Sequence, residues 1–328
     1  MKPHTGTDAF AKINQAYDSV FQVGQLSIGI VVPIENYVRG SRPTMTQHLE
    51  RVLLAEELGF SAVWLRDVPF DVPSFGDAGQ MFDPFVYLGL LAGRTSRIAL
   101  GVSSVILPLR HPAHVAKAAA SVDELSDGRL LLGIASGDRP DEYPAMAIPF
   151  ADRGERFRQS YEYIRGMAEP APSFENAFGS PGGGMEMVPK PAGGRLPLLV
   201  TGASQQDSDW IARHGDGKML YPREPVHQAT VIADYRSATK ASGQSPKPVM
   251  QPFHIDLDDN PDEPPELIHL GFKSGMNPLI QHLDSLRDAG VNHVALNLRF
   301  NQAGVEETLT RLAADLLPHF HRQVSDND

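Results

Sequence analysis

The chain of 328 residues contains no cysteine. Disulfides, thiolate metal sites and cysteine nucleophiles are thereby excluded, and with them the usual sign of an oxidising compartment. Long apolar runs are missing too: none approaches the roughly 20 residues that span a bilayer. Residues 1–25 scatter Asp8, Lys12, Asn14 and Asp18 among apolar side chains, unlike the continuous apolar core of a signal peptide. Residence in the cytoplasm, away from membranes, is the expectation. Positive charge is scarce, with 29 Lys and Arg against 40 Asp and Glu and a net charge of -11. Such a field disfavours nucleic acid and anionic membrane as partners, while leaving room for a phosphate held locally. There is also no Gly-x-Ser-x-Gly elbow, no P-loop and no His-Glu-x-x-His helix.

What is present fits a large globular core, since hydrophobic residues make up 41% of the chain and charged residues 21%. Strand-like segments at 27–33, 62–65, 98–107, 129–134, 196–201, 218–221, 249–257 and 293–298 alternate with helix-like ones. The first helix has Thr44 and Gln47 spaced as a capping box, Met45, Leu49, Val52 and Leu53 on one face, and Gly59 at its end. Further helices are expected near 84–93, 111–125, 152–167, 204–214, 225–241, 278–289 and 305–320. Eight strand–helix units predict an α/β protein whose parallel strands close into a (β/α)8 TIM barrel with insertion loops. An open doubly wound sheet would want a glycine-rich turn after strand one, where Pro33-Ile-Glu-Asn-Tyr37 stands. Residues 1–25 form a helical extension and 26–328 a single barrel domain. The Pro- and Gly-rich stretch 169–195 is expected to be a mobile lid over the barrel mouth, and the acidic stretch 258–266 a solvent loop.

Barrel chemistry sits at the carboxyl ends of strands. That rule selects 32–35, 66–69, 103–107, 135–139, 201–204, 221–223 and Arg299. Thr201-Gly-Ala-Ser204 offers a strand end, a close-approach glycine and an expected helix start, which suits phosphate; a plain N-cap serine accounts for it equally well. Ser136, Gly137, Asp138 and Arg139 follow strand four. Arg153 and Arg156 follow them as possible phosphate forks, with Asp152 and Glu155 as competing partners. No metal site is expected. His111, His114, His319 and His321 read as surface or packing residues, and no carboxylate pattern accompanies them.

Three motifs, in order, resemble the luciferase-like flavin-dependent oxidoreductases: Leu100-Gly-Val-Ser-Ser-Val-Ile-Leu-Pro-Leu-Arg-His-Pro112, Leu125-Ser-Asp-Gly-Arg-Leu-Leu-Leu-Gly-Ile-Ala-Ser-Gly137, and Pro197-Leu-Leu-Val-Thr-Gly-Ala-Ser204 followed by Gly215-Asp-Gly217. The resemblance implies reduced FMN in the barrel mouth, supplied by a separate reductase, and molecular oxygen acting on a small organic substrate. Deazaflavin-dependent hydride transfer and catalytically idle flavin binding are the alternatives. It also implies a cis peptide at Ser103-Ser104 against the flavin, and a phosphate site at Gly202, Ala203 and Ser204, with Ser136, Gly137, Asp138, Arg153 and Arg156 facing it. A homodimer is implied, paired through the helices after strands two and three, with the alanines at 116–120 allowing close approach. Many members carry Glu-His-His after strand two, where this chain has Asp67-Val-Pro69. Arg66, Asp67, Arg139 and Tyr221 are the candidates to replace that histidine. The family's reactive cysteine near the end of strand four is matched by Ala135.

Overall fold

The computed structural model describes residues 9–37, 42–72 and 82–320. Its strands are β1 (Ser27–Val31), β2 (Ala62–Leu65), β3 (Ala99–Ile106), β4 (Leu130–Ala135), β5 (Leu198–Thr201), β6 (Gly217–Met219), β7 (Val249–Leu257), β8 (Glu266–Ile268), β9 (Gly271–Ser274) and β10 (His293–Asn297). Strands β1 to β7 and β10 pair in parallel order, and β10 pairs with both β1 and β7, so the sheet closes into the expected eight-stranded barrel. The helices are α1 (Gln15–Val20), α2 (His48–Glu57), α3 (Pro84–Ala92), α4 (Pro112–Leu125), α5 (Glu142–Ala145), α6 (Arg153–Ala168), α7 (Ser208–His214), α8 (Pro225–Ala241), α9 (Met276–Ala289), α10 (Val305–Arg311) and α11 (Leu317–Phe320). A single π-turn, Leu312–Leu316, joins the last two.

Several helix starts follow directly from sequence. Pro84 opens α3 while Asp83 accepts from the amides of Phe85 and Val86. Pro112 opens α4, and the ring of His111 accepts from Ala113 N. Two expected starts move. Gln47 caps α2 from a left-handed backbone without a side-chain bond, and the Glu35 carboxylate instead binds the amides of Thr44 and Met45. The helix expected at Ser204 begins at Ser208, capped by Asp207. Ser204 and Gln205 have φ of 46° and 60°, which no helix admits, and Ser204 Oγ donates to Thr201 O.

Barrel interior and base are packed by the chain's own small residues. Trp64 lies inside, where a Cβ on Gly101 would come within 2.3 Å of its ring. The indole N–H of Trp64 donates to His293 Nε2 at 2.8 Å, so His293 carries its proton on Nδ1, 2.7 Å from Ser27 Oγ. Below this layer α1 closes the amino-terminal end, with Tyr17, Val20 and Phe21 joining Leu131, Leu199, Met219 and Met250 in one cluster.

One loop expectation holds and one changes. Residues 258–265 form the expected, mostly exposed loop, which leads into the β8–β9 hairpin that adds β9 to β7. Met250 O accepts from Leu220 N and His254 N donates to Leu270 O, so β9 takes the same edge of β7 as β6, beyond where the short β6 ends. The segment 169–195 is not placed to be a lid. It leaves the carboxyl end of α6, and a helix-to-strand connection returns to the amino-terminal face of a barrel. Lys190 Nζ holds the carbonyls of Met167 and Glu169, Ala192 N donates to Asp123, and Gly193 lies against Ile13. Only its tip reaches the rim, where Phe178 meets His111 and Arg156. His321 and the first eight residues of the extension lie outside the described residues.

Candidate active site

At the carboxyl end of the barrel, the floor of the mouth is built from β3, β5 and β6. The Ser103-Ser104 peptide is cis, as the resemblance implies, and β3 shifts register between Val102 and Val105. Ser104 Oγ bonds Thr201 Oγ1, and Thr201 Oγ1 lies 3.2 Å from the sulfur of Met219.

The turn after β5 faces the amino terminus of α6, not that of α7. Gln206 ties the two together: its Oε1 accepts from Arg158 Nε and NH2 at 3.0 and 2.9 Å, and its Nε2 donates to Gly154 O and Ser204 O. Gly154 permits the approach, since a Cβ there would meet Gln205 Cβ at 2.9 Å. Positive φ at Gly202, Ser204 and Gln205 turns this backbone into a concavity of the kind that gathers N–H groups around an anion. Helix α6 runs for 16 residues out of a 3-10 turn at Phe150–Asp152; the Arg153 amide already donates to Phe150 O, and Asp152 gives the amides that follow no side-chain cap. Arg153 opens that helix; its NH1 donates to Phe150 O, its guanidinium lies 3.8 Å over the Phe150 ring, and its buried Nε has no hydrogen-bond partner. This donor set fits a dianionic phosphate. Arg156, the other expected fork, donates instead to Pro108 O and lies over Phe178 at 4.8 Å.

A second group joins the ends of β2, β4 and β6. Tyr221 lies in the field of Asp138; burial first and then Asp138 push the phenol above its usual range, against the nearby Arg66. Arg66, Asp138 and Tyr221 are thus brought together. Gly137 makes this turn possible at φ 76°, where a Cβ would lie 2.8 Å from both Ile106 and the Tyr143 hydroxyl. Tyr143 Oη in turn donates to Ser136 O. Asp67 is placed differently. Its Oδ1 accepts from Arg110 NH2 at 2.7 Å and its Oδ2 from Arg110 Nε and Ile106 N, so both oxygens are committed to fixing β3 against β2. Arg139 is buried, with NH1 3.9 Å from Glu142 Oε1.

Glu142 is the residue that sequence reading missed. It is 2% exposed, and burial, opposed by Arg139 and aided by Asp67 and Asp138, pushes its carboxyl up to about 7. The available signal was its i,i+3 spacing from Arg139 across Pro140, at the residue that starts the short α5. Among the described residues no group of three or more His, Asp and Glu is arranged to hold a metal ion, and no helix is long and apolar enough to cross a membrane.

Comparison with known proteins places this geometry. An uncharacterized protein of Mycobacterium tuberculosis is 33% identical over 162 residues, 46% of this chain and 57% of that protein, so the chain matches little more than half the length of its relative. The crystal structure of a monooxygenase from Streptomyces bottropensis superposes with a TM-score of 0.75 at 22% identity, covering 90% of this chain and 100% of the other. An F420-dependent secondary alcohol dehydrogenase in complex with an F420-acetone adduct gives 0.74 at 17% identity, covering 90% and 99%. The oxygenating constituent of a diketocamphane monooxygenase from Pseudomonas putida, in complex with FMN, gives 0.71 at 15%, covering 90% and 98%. These three likenesses establish the barrel fold. The family model for luciferase-like monooxygenases matches residues 26–315, and the chain belongs to that family.

Proposed function

We propose that this chain is a flavin-dependent monooxygenase that binds reduced FMN, delivered by a separate reductase, and uses molecular oxygen on a small organic substrate. The observation that carries the reading is the phosphate cradle: the turn Gly202–Gln205, with positive φ at Gly202, Ser204 and Gln205, set against the amino terminus of α6 and the unpaired Nε of Arg153. Bound there, FMN would supply the reducing electrons and the ring that reacts with oxygen. Ser136, Gly137 and Asp138 border the same space from β4. Burial and Asp138 hold the proton on Tyr221 Oη, and the Arg66 cation acts on the same group, so Arg66 and Tyr221 are the candidate catalytic pair. Asp67 acts through Arg110 as a positioning residue.

Fluorescence titrations with FMN and with F420 test the cofactor. FMN should saturate one site, and Ser204→Asp should weaken it by about tenfold or more, because a carboxylate would face the phosphate. Oxygen uptake with chemically reduced FMN should then depend on an added organic substrate. Binding of F420 alone would replace this reading with hydride transfer. FMN binding without substrate-dependent oxygen uptake would leave a flavin-binding protein.

The protein is further proposed to pair as a homodimer through the helix after β2. Val86 and Leu90, four residues apart on α3, and Phe82 just before its cap are 75%, 42% and 41% exposed. The alanine segment expected to help is used internally: Ala116, Ala119 and Ala120 are buried.

A further inference from the structure

We propose that the amino-terminal face of the barrel, opposite the mouth, carries a second binding site for a compact dianion such as a small phosphate monoester. A cavity of about 300 Å³ lies there, lined among others by Tyr17 and Tyr161, by Arg195 before β5, by Arg213 at the end of α7 and by Lys247 before β7. That volume is at the lower end for small-ligand pockets.

The cavity concentrates positive charge in a chain whose net charge is -11. Among the described residues, Asp216 is the only carboxylate in its lining. Both its oxygens are already taken, by Arg165, by Arg195 NH1 at 2.5 Å and by Leu198 N at 2.8 Å. Arg213 has only Asp209 at 3.9 Å, and both side chains are largely exposed. Lys247 Nζ donates to the carbonyls of Ala212 and Arg213 at 2.5 and 3.3 Å, which fixes the ammonium at the cavity wall. Those carbonyls end α7 and would repel an anion, but Lys247 already covers them. The field is visible on its neighbours. Burial and then the cations Lys247, Arg213, Arg158 and Arg165 hold His214 below the usual imidazole range. Burial pulls the Lys247 ammonium down to about 8.

Cations that are partly desolvated and not fully paired gain most from a doubly charged oxyanion, and a guanidinium fork matches its geometry. The two tyrosines shape the rest of the site. Tyr17 Oη donates to Asp216 O and Tyr161 Oη to His214 O, both at 2.7 Å, so their polar tips are occupied, and the edges of these buried rings close the cavity's inner side.

Calorimetric titration of the full chain with phenyl phosphate, at constant ionic strength and with the 202–205 cradle saturated by FMN, tests this site. One further saturable site is expected. Arg213→Gln should weaken it by about tenfold, and Arg213→Gln/Lys247→Gln further; Arg213 is exposed and holds no buried partner, so the single variant keeps the fold. Ser204→Asp, at the opposite face, should leave the affinity unchanged, which separates this inference from the flavin reading. No saturable heat up to about 10 mM phenyl phosphate would overturn it, millimolar affinity being the weak limit of specific binding. Equal affinity in Arg213→Gln would overturn it too, as would loss of binding in Ser204→Asp.

Discussion

Glu142 illustrates what burial does to a single carboxyl. Ionising it inside the fold costs more than the Arg139 guanidinium 3.9 Å away returns, so its proton is held up to about pH 7. The folded-state value is raised above the unfolded one. Stability is therefore full below the ordinary glutamate range and declines as pH rises from there through about 7. Glu142→Gln should remove that decline: the variant should gain of order 1–3 kcal/mol relative to the parent between pH 5 and pH 8 in urea titrations. Because Asp138 and Asp67 feel the same charge, any limb near pH 7 in the kcat/KM profile should vanish in the variant; an unchanged limb would assign it to another group. Gly101 makes the opposite point, that a missing side chain can be structural. A Cβ there meets the Trp64 ring at 2.3 Å, so Gly101→Ala should cost at least about 1–3 kcal/mol, seen as a lowered Tm, with loss of the native near-ultraviolet signal of Trp64.

At the scale of elements, one ion-pair chain joins three of them. Asp67 at the end of β2 binds Ile106 N of β3 and Arg110, and Arg110 NH2 also reaches Asp83, the cap of α3, at 2.7 Å. Asp67 is 2% exposed at its side chain, so the pair is broken at real cost when that carboxylate is lost. Asp67→Asn should destabilise by about 3 kcal/mol in denaturant titration. A variant of parental stability that had lost only turnover would return Asp67 to a direct catalytic role. The same scale explains why the 201–204 motif does not itself open a helix. The motif Thr201-Gly-Ala-Ser204 suits a strand-to-helix start, but the left-handed backbone at Ser204 and Gln205 delays the helix by one turn. The amino terminus that faces the motif belongs to α6, more than forty residues earlier in the chain.

At the scale of the whole molecule, the barrel buries its strands on both faces and leaves Val86 and Leu90 of α3, with Phe82 before it, outward. Val86→Glu places a charge at the centre of the proposed dimer contact. Light scattering at micromolar concentration should report a dimer for the parent and a monomer for the variant, with little change in Tm; a parent already monomeric would discard the contact. Closure at the opposite end is supplied by α1, so Tyr17→Phe, which loses the bond to Asp216 O, should cost about 1 kcal/mol without altering flavin binding.

Periodicity and turn residues were enough to reveal the eight barrel strands, because strands buried on both faces read as short apolar runs and each is set off by helix signals. They located β2 (Ala62–Leu65), β7 (Val249–Leu257) and α8 (Pro225–Ala241) to the residue. The motifs marked Ser103-Ser104, the 136–139 turn and the 201–204 turn as one region, since all lie at carboxyl ends of strands. What sequence could not decide was which charged groups meet. Asp67 and Tyr221 are equivalent strand-end residues in one dimension; only the packed structure commits the first to Arg110 and the second to Asp138. Glu142 acquires its altered proton affinity, and the 169–195 segment its place outside the mouth, from neighbours distant in sequence. Charge, burial and loop direction depend on distances across the fold, and those exist only once the barrel has closed.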